Sequence, residues 1–328
     1  MVKYGIIGCG NITLSRHLPA LKKMENVEVT ALCDVNEEAV KKAGEKFRVK
    51  KCFQDYREML KEPLDVVLIA LPTPLHAKVC VEVAEAGKHI YVEKPMALNL
   101  KEAKMMEEAV KRNNVKICIG HTQRFMGISK RVKEILLKGE IGEIFKVKGS
   151  ICHKVDWGKH KGSKWRKDPK SIGSGPLMDF GCHLIDTFLH YLEDRVGRVY
   201  GEEGKFLHKE RISEDNFLLV MRFKKGAIGV IELSETQHFQ DTTVEIDGIE
   251  GSIRYLIWGE EINIYHGGKE EKIKLERIND PFYDLHSEFL KSIIENKPSP
   301  VPLEEGMEVV RVVEAGYISA KEKKEVIL

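Results

Sequence analysis

The sequence predicts an α/β protein in two parts: a doubly wound parallel sheet over residues 1–121, then an α+β domain over 122–328 with a large, mostly antiparallel open sheet. Three observations lead there. In the first part, short β-branched runs of nearly continuous apolar character alternate with amphipathic helical stretches, the pattern of strands buried on both faces. The first run ends in Gly8-Cys9-Gly10 and leads straight into a helical stretch. After His121 the segments alternate apolar and polar residues between glycine turns, as antiparallel strands with one covered face do.

The strands of the first part are "KYGIIGCG", "VEVTALCD", "VKKCF", "DVVLIALP", "HIYVEK" and "VKICIGH", with helices expected over 13–24, 36–47, 55–61, 75–87 and 99–113. In the second part a helix over 128–142 precedes the strand "EIFKVKGSICHKV". A lysine-rich polar loop (154–172) then leads to the helix "GPLMDFGCHLIDTFLHYL". Six alternating segments follow, from "GRVYGEEGKFL" to "EEKIKLE", punctuated by Lys224-Lys225-Gly226 and Gly267-Gly268. Helices over 281–296 and 303–321 close the chain. In "GAIGVIELSETQ", Ile228 and Val230 fall on one face and Ile231 and Leu233 on the other, so the outer face of that sheet needs a cover.

Of the residues, 42% are hydrophobic and 32% charged, at a net charge of only +2, which excludes a disordered chain and gives no basis for a nucleic-acid or membrane-surface partner. No apolar stretch approaches the roughly 18 residues that span a bilayer, and the opening runs directly into a strand, so the expected home is the cytoplasm. The seven cysteines are scattered and form no C-x-x-C pair, which predicts reduced thiols and no metal site.

Gly8 and Gly10 permit a tight turn and let backbone N–H groups approach a pyrophosphate at a helix N-terminus. The third glycine of G-x-G-x-x-G is replaced by Thr13. Asp34 ends the second strand, 24 residues after Gly10, where a carboxylate accepts hydrogen bonds from an adenosine ribose. It also stands where an N-cap of the next helix would. No basic partner for a 2′-phosphate is evident nearby, which favours NAD over NADP. The fourth strand ends in Leu71-Pro72-Thr73-Pro74, which breaks regular structure at the sheet's carboxyl edge, and His76 follows in the first helical turn.

Lys94 ends the fifth strand on that same edge, and Pro95 denies it a helical conformation. Beside a nicotinamide its ammonium would hydrogen-bond a substrate oxygen; otherwise it is a surface lysine paired with Glu93. Downstream, Asp179 and His183 lie four apart on one helix and share a face, with Asp186 close to it. An acid and an imidazole on one face of an apolar helix fit a base with its helper.

These residues together resemble the Gfo/Idh/MocA family, the glucose–fructose oxidoreductase and inositol dehydrogenase group. The resemblance rests on "GIIGCG", "TPLHAKVCVEVAEAGKHIYVEKPMA", "GHTQRF", "WRKDP" and "DFGCHLID", and extends over essentially the whole chain. It implies a Rossmann domain and NAD-dependent oxidation of a secondary hydroxyl on a sugar, inositol or related polyol, with Lys94, Asp179 and His183 catalytic. On the cofactor side it implies Gly8, Gly10, Asn11, Ile12 and Asp34, then Leu71, Pro72, Thr73, His76, Glu93 and Lys94. Near the substrate it implies Arg124, Trp165 and Arg166 beside the catalytic three. "HTQRF" stands where the family often shows an Asn followed by an arginine pair. Within the same family two alternatives exist: an NAD-dependent glycoside hydrolase, and a regulator that binds the dinucleotide without catalysis. The resemblance also implies a homodimer or homotetramer packed through the second sheet.

Overall fold

The computed structural model describes residues 1–155, 168, 173, 175–275 and 279–328. The chain forms two compact units, residues 1–122 with 280–310, and residues 123–279 with 311–328.

In the first unit six parallel strands run in the order β3-β2-β1-β4-β5-β6. They are β1 (Val2–Ile7), β2 (Val27–Cys33), β3 (Lys51–Phe53), β4 (Val66–Ile69), β5 (His89–Val92) and β6 (Ile117–Ile119). This is the doubly wound order, with its reversal between β1 and β4. All four residues of β4 are fully buried, as its uninterrupted apolar run demands. The connecting helices are α1 (Leu18–Lys22), α2 (Glu37–Phe47), α3 (Tyr56–Met59), α4 (His76–Glu85) and α5 (Leu100–Arg112). The helix expected over 13–24 opens instead with a wide i→i+5 turn, Thr13–His17. Helix α2 is capped by Asn36, whose side chain accepts the Ala39 N–H at 3.1 Å, so the cap falls to this residue and not to Asp34.

The second unit holds a nine-stranded sheet in the order β14-β13-β12-β11-β7-β10-β9-β8-β15. Its strands are β7 (Ile144–Cys152), β8 (Val196–Gly204), β9 (Asn216–Phe223), β10 (Ile228–Ser234), β11 (Thr243–Gly248), β12 (Gly251–Leu256), β13 (Glu261–His266), β14 (Lys269–Lys274) and β15 (Val326–Ile327). All pairs are antiparallel except β7 with β10. Helix α6 (Gly127–Leu137) precedes β7, and α7 (Cys182–Leu192) lies against it. Gly149 makes that approach possible, because a Cβ there would come within 2.7 Å of Leu184 and 3.0 Å of Phe188.

The two closing helices are α8 (Pro281–Ile294) and α9 (Leu303–Glu322). The sequence reading runs the second domain through to residue 328, whereas residues 280–310 pack with the first unit. Helix α8 presents Leu285, His286, Phe289 and Leu290 as its buried face, and its neighbours include α1 and the Thr13–His17 turn. Chain order does not reveal which core an amphipathic helix will cover.

Candidate active site

Three loops of the first unit leave the carboxyl edge of its sheet. At the first, Gly8 has φ +99°, and a Cβ there would lie 2.2 Å from the Ala70 carbonyl oxygen. Only glycine fits. Gly10 and Asn11 are exposed, and a Cβ at Gly10 would meet nothing within 4 Å, so a ligand can approach the main chain closely there. Ile12 is half-buried. Thr13, in place of the third glycine, is buried and donates its hydroxyl to the Gly8 carbonyl at 2.7 Å, locking the turn from inside. Asp34 accepts the N–H of Cys9 (2.8 Å) and of Asn36 (2.9 Å), which bolts the end of β2 to the glycine turn and leaves its carboxylate half-exposed. A tight turn, an open glycine backbone and a fixed acid at the next strand's end fit the pyrophosphate and adenosine ribose of a dinucleotide.

At the second loop Leu71 and Pro72 are half-buried, Thr73 is buried, and Thr73–Leu75 forms a 3-10 turn before α4. His76 is buried with Nδ1 2.9 Å from the Pro95 carbonyl and Nε2 2.8 Å from that of Leu71. Burial outweighs the pull of these carbonyls and keeps the imidazole below its usual pKa. Whichever nitrogen carries the neutral ring's one hydrogen donates to its carbonyl, and the buried imidazole is wedged between the second loop and the third.

The third loop carries Lys94, half-buried, with a cis peptide bond to Pro95. Glu93 before it is not the surface partner of Lys94 that the sequence allowed. It is buried, its Oε1 2.8 Å from His17 Nε2, while its Oε2 accepts the Lys94 backbone N–H at 3.3 Å. Burial alone would raise this carboxyl. The hydrogen bond from His17, with the charge of Lys94 and the proximity of His76, holds it below the usual glutamate range.

In the second unit Asp179 is buried within an i→i+5 turn, Leu177–Gly181, that runs straight into α7, and His183 is half-buried in the first turn of α7. A turn wider than α brings residues four apart closer to one full revolution, so the two stay on one face. Glu214 lies beneath the start of this segment. Its Oε1 accepts both the Leu177 N–H and the Tyr317 hydroxyl at 3.0 Å. A Cβ on Gly175 would sit 2.1 Å from its Oε2, so the glycine before the helix makes room for this acid. Arg124 is buried, with Nε 2.8 Å and Nη2 2.5 Å from the two oxygens of Asp186. Its guanidinium braces α7 through this pairing. Trp165 and Arg166 lie outside the described residues, as does most of the lysine-rich loop.

Sequence reasoning missed His17, His286, Glu214 and Tyr317. For the histidines a signal existed: each is a polar residue on the apolar face of an expected helix.

Two family models match the chain: "Oxidoreductase family, NAD-binding Rossmann fold" over residues 2–121 and "GFO/IDH/MocA C-terminal domain" over 129–254. The chain belongs to the Gfo/Idh/MocA family. It is an NAD-binding oxidoreductase of that family, and its doubly wound first unit is the matching Rossmann domain. Among relatives of this Gfo/Idh/MocA chain, myo-inositol 2-dehydrogenase of Thermotoga maritima is 27% identical, the match covering 100% of this chain and 98% of the relative. The scyllo-inositol 2-dehydrogenase (NADP(+)) of Bacillus subtilis is 24% identical over 100% and 96%. A solved levoglucosan dehydrogenase, in complex with NADH and levoglucosan, shares the fold at a TM-score of 0.90, with 23% identity and 99% of each chain covered.

Proposed function

We propose that this oxidoreductase is an NAD-dependent dehydrogenase acting on a secondary hydroxyl of a sugar, inositol or related polyol. The observation that carries the reading is the pairing, on one carboxyl edge of one parallel sheet, of a dinucleotide cradle (Gly8, Gly10, Asp34) with a half-buried lysine (Lys94). Relatives matched along almost their whole length are named for inositol oxidation, which supports the substrate class. The half-exposed Asp34 carboxylate favours NAD, since a 2′-phosphate would meet its charge.

Bound NAD supplies the acceptor for the hydrogen that leaves carbon. Gly8, Gly10, Asn11 and Ile12 would hold its pyrophosphate, Asp34 its ribose, and the Leu71–Thr73 loop its nicotinamide half. His183 takes the hydroxyl proton on an imidazole nitrogen, as a general base within reach of the substrate would. Asp179 orients that imidazole and stabilises the cation that forms. The Lys94 ammonium hydrogen-bonds the developing alkoxide. Residues 1–121 then serve as the NAD domain and 122–328 as the substrate and assembly domain, with α8 lent back to the first unit.

The second sheet supports self-association. Leu218, Val220 and Tyr200 stand 39–52% exposed on the face opposite its core, and Tyr200 is paired directly with Val220. We read this face as the contact of a homodimer or homotetramer. Among the described residues no helix is long and apolar enough to cross a membrane, and all seven cysteines are free thiols, which supports a cytoplasmic enzyme.

The test is the near-ultraviolet absorbance of reduced nicotinamide, with NAD and NADP separately, against inositols, sugars, sugar acids and nucleotide-sugars. Turnover with one class is expected. Lys94→Ala should lower it by about 100-fold or more while NAD still binds. Cleavage of glycosides without accumulation of reduced nicotinamide would overturn the dehydrogenase reading.

A further inference from the structure

Two buried histidines from opposite ends of the chain meet behind Glu93. His17, in the wide turn before α1, has Nε2 2.8 Å from Glu93 Oε1 and Nδ1 3.0 Å from His286 Nε2 on α8. Both rings are wholly buried. Tyr91 stacks on His286 with centroids 4.4 Å apart, and Tyr4 meets it edge-on at 5.7 Å. The edges of Tyr91 and Phe282 flank His17 at 5.4 and 5.0 Å. The rings of Tyr4, Tyr91 and Phe282 thus face this pair, with Glu93 at one end and the Cys118 thiol behind the two tyrosines; the charges of Lys94 and His76 act on Glu93.

This arrangement fixes the protons. An ionised carboxylate can only accept, so His17 Nε2 carries hydrogen. Burial holds His286 far below its usual pKa, so it is neutral. Its Nδ1 has no hydrogen-bond partner among the described residues, so its one hydrogen is best used on Nε2, aimed at His17 Nδ1. Every hydrogen bond then points toward Glu93.

We propose that His286, His17 and Glu93 form a buried positioning relay that fixes the Glu93 carboxylate in place, so that its second oxygen seats the backbone of Lys94. The relay rests on the reading of Lys94 as a catalytic group. Neither histidine touches substrate; both act through Glu93.

Two measurements decide it. In NAD-loaded wild-type protein with 15N-labelled histidine, ring nitrogen resonances should show His17 and His286 both as neutral Nε2–H tautomers. An imidazolium or an Nδ1–H tautomer at His17 would overturn the relay, whether or not the substrate class above is right. In steady-state kinetics His17→Leu should lower kcat by about 100-fold, with the KM for NAD moved less than about threefold. His17→Gln, which keeps a donor toward Glu93, should recover most of the loss. Equal kcat in all three proteins, or equal damage from Leu and Gln, would overturn it. Should no substrate turn over, the proposed reaction fails while the tautomers still judge the relay.

Discussion

Each unit of this protein buries a glutamate beneath the segment that carries its proposed catalytic residue, and the two acids are kept in opposite states. Glu93 in the first unit faces an imidazole N–H and lies near a lysine, and its carboxyl is drawn below the usual range although burial opposes this. Glu214 in the second unit faces a backbone N–H and a tyrosine hydroxyl, with Glu203 further off. There burial wins and the carboxyl is raised. Depth does not distinguish them, since both are almost inaccessible. The donors do. The Lys94 charge, added to the imidazole N–H, offsets desolvation of the Glu93 anion, and the neutral dipoles around Glu214 do not.

The comparison breaks most visibly at Glu93. Glu93→Leu leaves the His17 N–H buried without an acceptor and should destabilise the protein by about 3 kcal/mol, read as a drop in the midpoint of denaturant unfolding. A cost below about 1 kcal/mol would mean that the buried imidazole finds water. Glu214 sharpens the contrast through pH. A depressed carboxyl such as Glu93 contributes stability that is present above the unfolded glutamate pKa and lost as pH falls through the folded one. A raised one such as Glu214 works the other way, costing stability as pH climbs from the unfolded glutamate value toward the folded one. Glu214→Gln should therefore gain on wild type as pH rises above the unfolded glutamate value; parallel unfolding profiles would remove the distinction. The smallest effect is at His190, which burial, with the Arg124 charge next, pushes down to about 4. Its contribution is lost as pH falls from the usual histidine range toward that value, and His190→Gln should flatten the acid limb of the unfolding profile there.

The sequence made legible whatever depends on neighbours along the chain. The six strands of the Rossmann sheet stood out because burial on both faces removes polar residues from a run, and the glycine turn because Gly8 needs a positive φ. Asp34 was found at its strand end, but its hold on Cys9 N–H was not, because that bond joins two strands. For Arg124 the charge was visible but its burial against Asp186 was not, because that pair joins residues far apart in the chain. The relay was the least legible feature, since His17 and His286 are 269 positions apart and no local period links them.

Helix α8 has a further consequence for how the protein is made. The Rossmann unit takes its strands from the first 122 residues, yet the face of α8 that completes it comes from residues after 280. On the ribosome the nascent sheet must wait while some 170 further residues are added, roughly nine to thirty-five seconds at common rates of synthesis. Throughout that interval His17 and the apolar surface around it have no α8 to cover them. The enzyme's cofactor half, first to be translated, is thus among the last parts to be finished.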